Sequence, residues 1–173
     1  ANFLPSTTSQ PQPEPKRAAI SYEPIAEGDR VVIGEGTVTA LELHHPGMSL
    51  AYRVDYRGRS VVYATDHEPG NAEIDQGLRQ LARGADVLIC DAQYRPDELG
   101  AQKAGWGHGS WKASAELARA VGVKKLILFH HEPLRTDLEL DHILVEARQI
   151  FPATWGAQEG MRLQISRREV RIE

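Results

Sequence analysis

Several residue types that mark secreted, membrane or disulfide-rich proteins are scarce or absent in this sequence. The 173 residues include one cysteine, so no disulfide can form within the chain. Disulfides persist in oxidising compartments, and their exclusion here favours a reducing one such as the cytoplasm. No apolar run is long enough to cross a bilayer, and the N-terminal residues do not resemble a signal peptide. We therefore expect a cytoplasmic protein without a membrane partner.

The motifs of several large enzyme classes are also missing. Neither Ser49 nor Ser110 lies in a G-x-S-x-G elbow, which argues against a serine hydrolase. The sequence has no Walker loop and no dinucleotide-binding glycine pattern. Cys90 lies in the apolar run DVLIC, where a thiol is a small hydrophobic residue rather than a nucleophile. The net charge of -4 does not support a broad nucleic-acid-binding surface, although it leaves room for a local basic groove.

The order of the predicted elements indicates an α/β domain. Residues 1–17 hold four of the ten prolines and are expected to form an extended arm, which leaves 18–173 for the domain. An antiparallel meander is predicted first, with strands over 18–22, 30–33, 37–43, 49–56 and 59–63. β-α units follow, with helices over 71–83, 110–121 and 137–150 and strands over 85–90, 125–129, 153–157 and 161–165. Such a meander followed by β-α units is typical of a layered α/β domain.

Three of the predicted strands stop on residues that bind metals. The strand over 37–43 runs into His44 and His45, the strand over 59–63 into Asp66, and the strand over 125–129 into His130 and His131. Imidazole and carboxylate groups suit zinc-like or manganese-like ions. Because side chains alternate across a strand, only one histidine of each adjacent pair is expected to reach a given site. The alternative for Asp66 is a turn-forming aspartate without a ligand role.

The segment GWGHGSW places His108 between two glycines directly before a predicted helix. Backbone N–H groups at the start of a helix favour an anion such as a phosphate. A histidine there can give a proton to a leaving oxygen, and Asp91, at the end of the preceding strand, can orient it. The alternative is a capping segment, with Ser110 as the N-cap, in which the histidine is incidental.

Taken together, the runs HPGMSLAYRV, VVYATDHEP, ADVLICDAQY, GWGHGSW and KKLILFHHEPLRTD resemble the C-terminal part of a metallo-β-lactamase-fold hydrolase. The branch they resemble is the phosphodiesterase-like one, which includes ribonuclease Z and the cyclic-phosphate phosphodiesterases. The resemblance implies an αββα sandwich with two zinc or manganese ions at its edge. It implies metal ligands at His45, Asp66 and His130, with Asp66 bridging both ions, and a leaving-group histidine, His108, oriented by Asp91. Glu132 and Asp137 would orient the ligands.

The chain departs from that family at one motif. The H-x-H-x-D-H sequence, which supplies most of the remaining metal ligands in the family, is absent. Together with the missing initiator methionine, this leads us to expect a fragment of a longer enzyme that is inactive alone. A split protein and a natural truncation are the alternatives. In each case part of a sheet would be uncovered, so we expect self-association as a homodimer or pairing with an N-terminal half.

The function expected from these features is metal-dependent hydrolysis of a phosphodiester by an activated water. A small cyclic phosphate or a nucleotide suits the acidic net charge better than long RNA does. One alternative is a thioesterase or lactonase of the same fold, because its metal ligands would be similar. The other is a truncated binding module without catalysis. His and Asp ligands suit zinc and manganese alike.

Overall fold

The computed structural model describes residues 22–100, 102–166 and 168–173. The strands in these ranges are β1 (Arg30–Ile33), β2 (Gly36–Leu43), β3 (Ser49–Tyr56), β4 (Arg59–Ala64), β5 (Val87–Asp91), β6 (Lys125–Phe129), β7 (Thr154–Gly156), β8 (Leu163–Ile165) and β9 (Val170–Ile172). The helices are α1 (Ala72–Ala82), α2 (Trp111–Val121) and α3 (Asp137–Ile150). The predicted arm over 1–17 lies outside the described residues. So does the strand over 18–22, except for Tyr22, which is not in a strand.

Seven strands form one sheet in the order β1-β2-β3-β4-β5-β6-β7. Pairing is antiparallel from β1 to β4 and parallel from β4 to β7. The turn between β3 and β4 has positive φ at both Arg57 and Gly58, the conformation that a two-residue hairpin with right-handed twist requires. The structure thus confirms the predicted α/β class, with a meander followed by β-α units.

The three helices pack on one face of this sheet and bury the main core. Leu78 of α1, Ala118 of α2 and Ile143 of α3 join strand residues such as Leu88 and Leu128 in one apolar cluster. The β5 and β6 residues of this cluster alternate with those of the opposite face, as expected for strands covered on both sides. A second cluster on that face contains Val87 and Ile127, which the β8-β9 hairpin covers.

The helix boundaries follow the capping signals in the sequence. Asn71 accepts hydrogen bonds from the amides of Glu73 and Ile74 at the start of α1. Ser110 caps α2, which ends at Gly122 in the left-handed conformation that glycine adopts without strain. Arg83 is the C-cap of α1, and Gly84 follows it with a φ of 63°.

One strand was not predicted. Strand β9 spans three residues among arginine and glutamate side chains and pairs with β8. Three residues are too few for a period-2 pattern to stand out, so this strand depends on its partner rather than on its own sequence. No helix in the described ranges is long and apolar enough to span a membrane.

The strand directions bring four chain segments to one edge of the sheet. Strands β4, β5 and β6 are parallel, and β2 runs in the same direction because two antiparallel steps separate it from β4. Their C-terminal ends therefore meet at one edge, where ligands of α/β proteins commonly bind. His45, Asp66, Asp91 and His130 all lie at or just beyond these ends.

Among the described residues, the sheet face opposite the helices is only partly covered. Val54 and Tyr63 lie on this face, because they pair with Val61 and Ile89, which contact the second apolar cluster. Val54 and Tyr63 are 41% and 39% exposed. This region is the surface through which the expected homodimer would form, and the dimer stays a prediction.

We predict that the chain sediments as a dimer and that Val54→Glu converts it to a monomer, because a buried carboxylate on this face would lack a partner. Val145→Glu is the matched control, since Val145 is 59% exposed on α3, away from this face. Sedimentation equilibrium measures the mass of each variant. A monomeric unsubstituted chain would contradict the prediction.

Candidate metal centre

Two of the expected metal ligands lie in unusual backbone conformations directly after their strands. Asp66 and His130 have φ values of 59° and 56°. A left-handed φ is uncommon for residues other than glycine, and it persists only where the surrounding structure holds it. With the backbone reversed at both residues, the Asp66 Oδ1 atom lies near His130 Nε2. The two backbones thus bring a carboxylate and an imidazole together.

Four potential ligands converge at this edge. One donor atom from each of Asp66, Asp91, His108 and His130 lies within 4.8 Å of the others. The Asp66 Oδ1 atom is 3.4 Å from His130 Nε2 and 3.7 Å from His108 Nδ1. The rings of His108 and His130 stack with centroids 4.8 Å apart. The structure therefore places the loop histidine and three of the predicted strand-end residues, Asp66, Asp91 and His130, in one cluster.

The Asp91 carboxylate is the buried member of the cluster, with 1% of the residue exposed. Its Oδ2 atom lies 2.9 Å from His108 Nδ1 and accepts a hydrogen bond of 3.0 Å from the Asp66 amide. Its Oδ1 atom accepts another from the Gln93 amide. A carboxylate at Nδ1 favours the tautomer with a proton there and leaves His108 Nε2 for another partner. Both oxygens of Asp91 are engaged, so Asp91 is better suited to orienting His108 than to binding an ion.

His45 lies beside the cluster without belonging to it. Its ring centroid is 5.3 Å from that of His108, and its Nδ1 accepts a hydrogen bond from the Gly47 amide. Its Nε2 atom is thus the nitrogen left for a ligand. His44 is directed elsewhere, toward the Glu68 carbonyl oxygen, 2.9 Å from its Nδ1. One histidine of this pair lies at the site, as side-chain alternation predicts, and the ligand role of His45 stays a prediction.

Glu68 holds the loop that carries His108, and the sequence prediction missed it. Its carboxylate accepts hydrogen bonds from the amides of Gly105 at 2.9 Å and Gly107 at 2.8 Å. Burial acts to raise the pKa of the Glu68 carboxyl, but these amide bonds together with the nearby His44 and His108 outweigh it, so the pKa lies below its ordinary value. The only sequence signal for this role of Glu68 was its position two residues after Asp66. Nothing in the sequence links Glu68 to the loop at Gly105, which lies 37 residues further along the chain.

His67 was likewise not predicted to have a partner. It is 5% exposed, and its Nε2 lies 3.1 Å from an Asp75 oxygen on α1. Burial lowers the pKa of His67 below its ordinary value, against the opposing effect of Asp75. The pair joins the end of β4 to α1. It thereby supports the backbone next to Asp66.

The remaining candidates lie outside the four-residue cluster. Glu132 follows β6 and Asp137 begins α3, but neither is a member, so their orienting role stays a prediction. His131 is directed away from the cluster and lines a cavity with Ile143 and Leu144. Cys90 is buried, and burial raises the pKa of its thiol to about 12, which fits the predicted structural role.

The donor chemistry at this edge fits a divalent transition metal. Asp66 offers a carboxylate, and His130 and His45 offer imidazole nitrogens, which are the groups that zinc and manganese accept. Asp66 and His130 are 37% and 39% exposed, so an ion could reach them from solvent. The residues present therefore fit the ions that the sequence resemblance implied.

Comparisons with known proteins concern the family and the fold of this chain. A model of the beta-lactamase superfamily domain matches residues 4–131. Ribonuclease Z from Archaeoglobus fulgidus is 34% identical over 145 residues, which are 84% of this chain and 42% of that protein. The chain thus spans less than half the length of this curated relative.

Two solved structures resemble the fold. The metallo-beta-lactamase fold protein YhfI from Bacillus subtilis aligns with a TM-score of 0.63 and 21% identity, over 78% of this chain and 52% of that one. The short form of human tRNase Z aligns with a TM-score of 0.51 and 23% identity, over 58% and 38% of the two chains. At these identities the likeness concerns the fold, and it confirms the metallo-β-lactamase-like architecture expected from the motifs.

The packing of Gly107 against the His45 ring generates a prediction. A Cβ atom at Gly107 would lie 2.2 Å from His45 Cδ2 and 2.6 Å from Pro46 Cδ, so Gly107→Ala must displace the loop or the histidine. Gly105→Ala is the matched control, because Gly105 has a similar φ of 80° but nothing within 4 Å of its Cβ position. We expect Gly107→Ala to shift the histidine ring signals of His45 and His108 in nitrogen-edited NMR spectra. Equal shifts in both variants would contradict the steric argument.

Proposed function

This chain belongs to the beta-lactamase superfamily, and on that premise we propose that it is a metal-dependent hydrolase of phosphodiester bonds. The observation that carries the proposal is the His108–Asp91 pair beside Asp66 and His130. Hydrolysis of a phosphodiester expels an alkoxide, which needs a proton, and an imidazole held by a buried carboxylate is suited to supply one. The relative named ribonuclease Z supports the same bond type, since ribonucleases cleave phosphodiesters.

In this proposal Asp66, His130 and His45 would hold the divalent ions, with Asp66 shared between two of them. When bound, such ions neutralise the charge that develops on the phosphoryl oxygens and activate the attacking water. Zinc and manganese both suit these donors. The proposal concerns the complete metal site. Its other ligands are not among Asp66, His130 and His45.

The residues of this chain then act on the leaving group. Asp91 keeps a proton on His108 Nδ1 and stabilises the ring when it is positively charged. His108 Nε2 would donate its proton to the leaving oxygen. The stacked His130 ring and the loop backbone bound by Glu68 keep the His108 ring from rotating away. Such fixed positioning raises the rate because the donor does not have to be ordered in the transition state.

The test of the bond type compares substrates. We expect the chain joined to the N-terminal half that carries the remaining ligands, and supplied with zinc or manganese, to hydrolyse bis(p-nitrophenyl) phosphate. EDTA should remove that activity, and the chain alone should be inactive. A lactone and a thioester are the comparison substrates, because a carbon-ester hydrolase of this fold would use the same ligand types. Preferential turnover of either of them would overturn the phosphodiester assignment. A completed, metal-loaded enzyme that turns over none of the three would favour the binding-module alternative.

For the ligand role of Asp66, we predict that Asp66→Asn lowers bound metal roughly tenfold or more at a fixed free-metal concentration. Asparagine tolerates a left-handed φ, so the backbone at this position is preserved. Elemental analysis of the dialysed protein measures the loss. Asp141→Asn, at an exposed position on α3, is the control. Full metal content in Asp66→Asn would remove Asp66 from the proposed site.

For His108, we predict that His108→Gln lowers turnover by about 10²- to 10⁴-fold, the usual contribution of a proton donor. Metal content should stay near that of the unsubstituted chain, because the proposal makes His108 a proton donor and not a ligand. The two quantities are measured on one preparation. A parallel loss of metal would show instead that His108 is a ligand, as its place in the four-residue cluster also allows.

A further inference from the structure

The loop between β5 and α2 displays an aromatic side chain close to the candidate site. Trp106 is 54% exposed and lies two residues before His108. A single exposed apolar residue is ordinary on a protein surface, so its surroundings decide whether it has a role. Three features of these surroundings distinguish Trp106: a fixed backbone, a neighbouring cation, and a short path to His108.

The backbone on both sides of Trp106 is anchored. The Glu68 carboxylate binds the amides of Gly105 and Gly107, the residues that flank Trp106. Gly107 in turn packs so closely on His45 and Pro46 that no Cβ atom would fit. An exposed indole on a fixed backbone loses little conformational freedom when it binds a ligand, which favours affinity.

The ammonium group of Lys103 lies near the ring of Trp106 and also near that of Tyr94, an aromatic neighbour of the proposed proton donor His108. The Lys103 Nζ atom is 4.3 Å from the centre of the Trp106 ring and 4.7 Å from that of the Tyr94 ring. The Tyr94 ring is in turn 6.3 Å from the His108 ring. The Tyr94 ring is thus a neighbour of both Lys103 and His108.

We propose that Trp106 and Lys103 form a nucleotide subsite beside the cleavage site, in which the indole stacks on a nucleobase and the ammonium binds a phosphate. The inference rests on the proposed function for the orientation of the substrate. Stacking accepts any base, because every base has a flat π face, so the subsite would recognise a nucleotide without selecting its sequence. Lys103 would act as a point charge on a phosphate next to the one that reacts.

The test is a binding measurement that needs no turnover. Adenosine 5′-monophosphate, ribose 5-phosphate and inorganic phosphate are titrated into the full chain by calorimetry. We expect the nucleotide to bind more tightly than ribose 5-phosphate. Trp106→Ala should weaken nucleotide binding roughly 5- to 100-fold, the range of base–aromatic stacking, while changing ribose 5-phosphate binding little. Trp106→Phe should keep most of the affinity, and Lys103→Gln should weaken binding of both sugar phosphates.

Trp155→Phe is the matched control, because Trp155 also has a lysine over its ring, with Lys125 Nζ at 4.2 Å, but lies on β7. Its nucleotide affinity should equal that of the unsubstituted chain. The subsite is overturned if nucleotide and ribose 5-phosphate bind equally, if the nucleotide does not bind, or if Trp106→Ala binds it normally. Phosphodiester turnover without an effect of Trp106 would reject the subsite alone. Stacking without phosphodiester turnover by the completed, metal-loaded enzyme would reject the proposed function alone.

Discussion

Burial of the Asp91 carboxylate at the end of β5 is the constraint on which the site depends. A buried carboxylate destabilises the fold unless hydrogen-bond donors surround it. Asp91 finds them in the amides of Asp66 and Gln93 and in the His108 ring. Satisfying this one charge therefore ties the end of β4, the loop after β5 and the segment before α2 to each other. The positions of two proposed functional residues, Asp66 and His108, follow from it.

The sheet supplies the rest of the geometry. Parallel pairing of β4, β5 and β6 places their C-terminal ends side by side, and the antiparallel meander returns β2 to the same edge. Helix packing on one face makes these strands rigid, since their core residues lie in one cluster with the helices. Positive φ angles at Asp66 and His130 then turn the side chains toward each other. Rigid strands and two strained residues together preorganise a site that flexible loops would leave loose.

The loop after β5 shows how polar contacts order a segment that has no secondary structure of its own. Glu68, two residues beyond Asp66, binds two of its amides, and Gly107 fills the space beside His45. The loop is thereby attached to the same chain segments that hold the proposed ligands. This shared anchoring is why the proposed proton donor and the proposed nucleotide subsite would respond together to a change at Glu68.

The sequence alone was sufficient for the α/β class, for most element positions and for the residues at the strand ends. These depend on local signals: apolar periodicity, the Ser110 cap and the strand breaks that precede the histidines and aspartates. The tertiary structure decided which histidine of each pair faces the site, the contact of Glu68 with a loop far along the chain, and the pairing of β9. Such contacts join residues distant in sequence, and they form only when strand order and register bring both partners together.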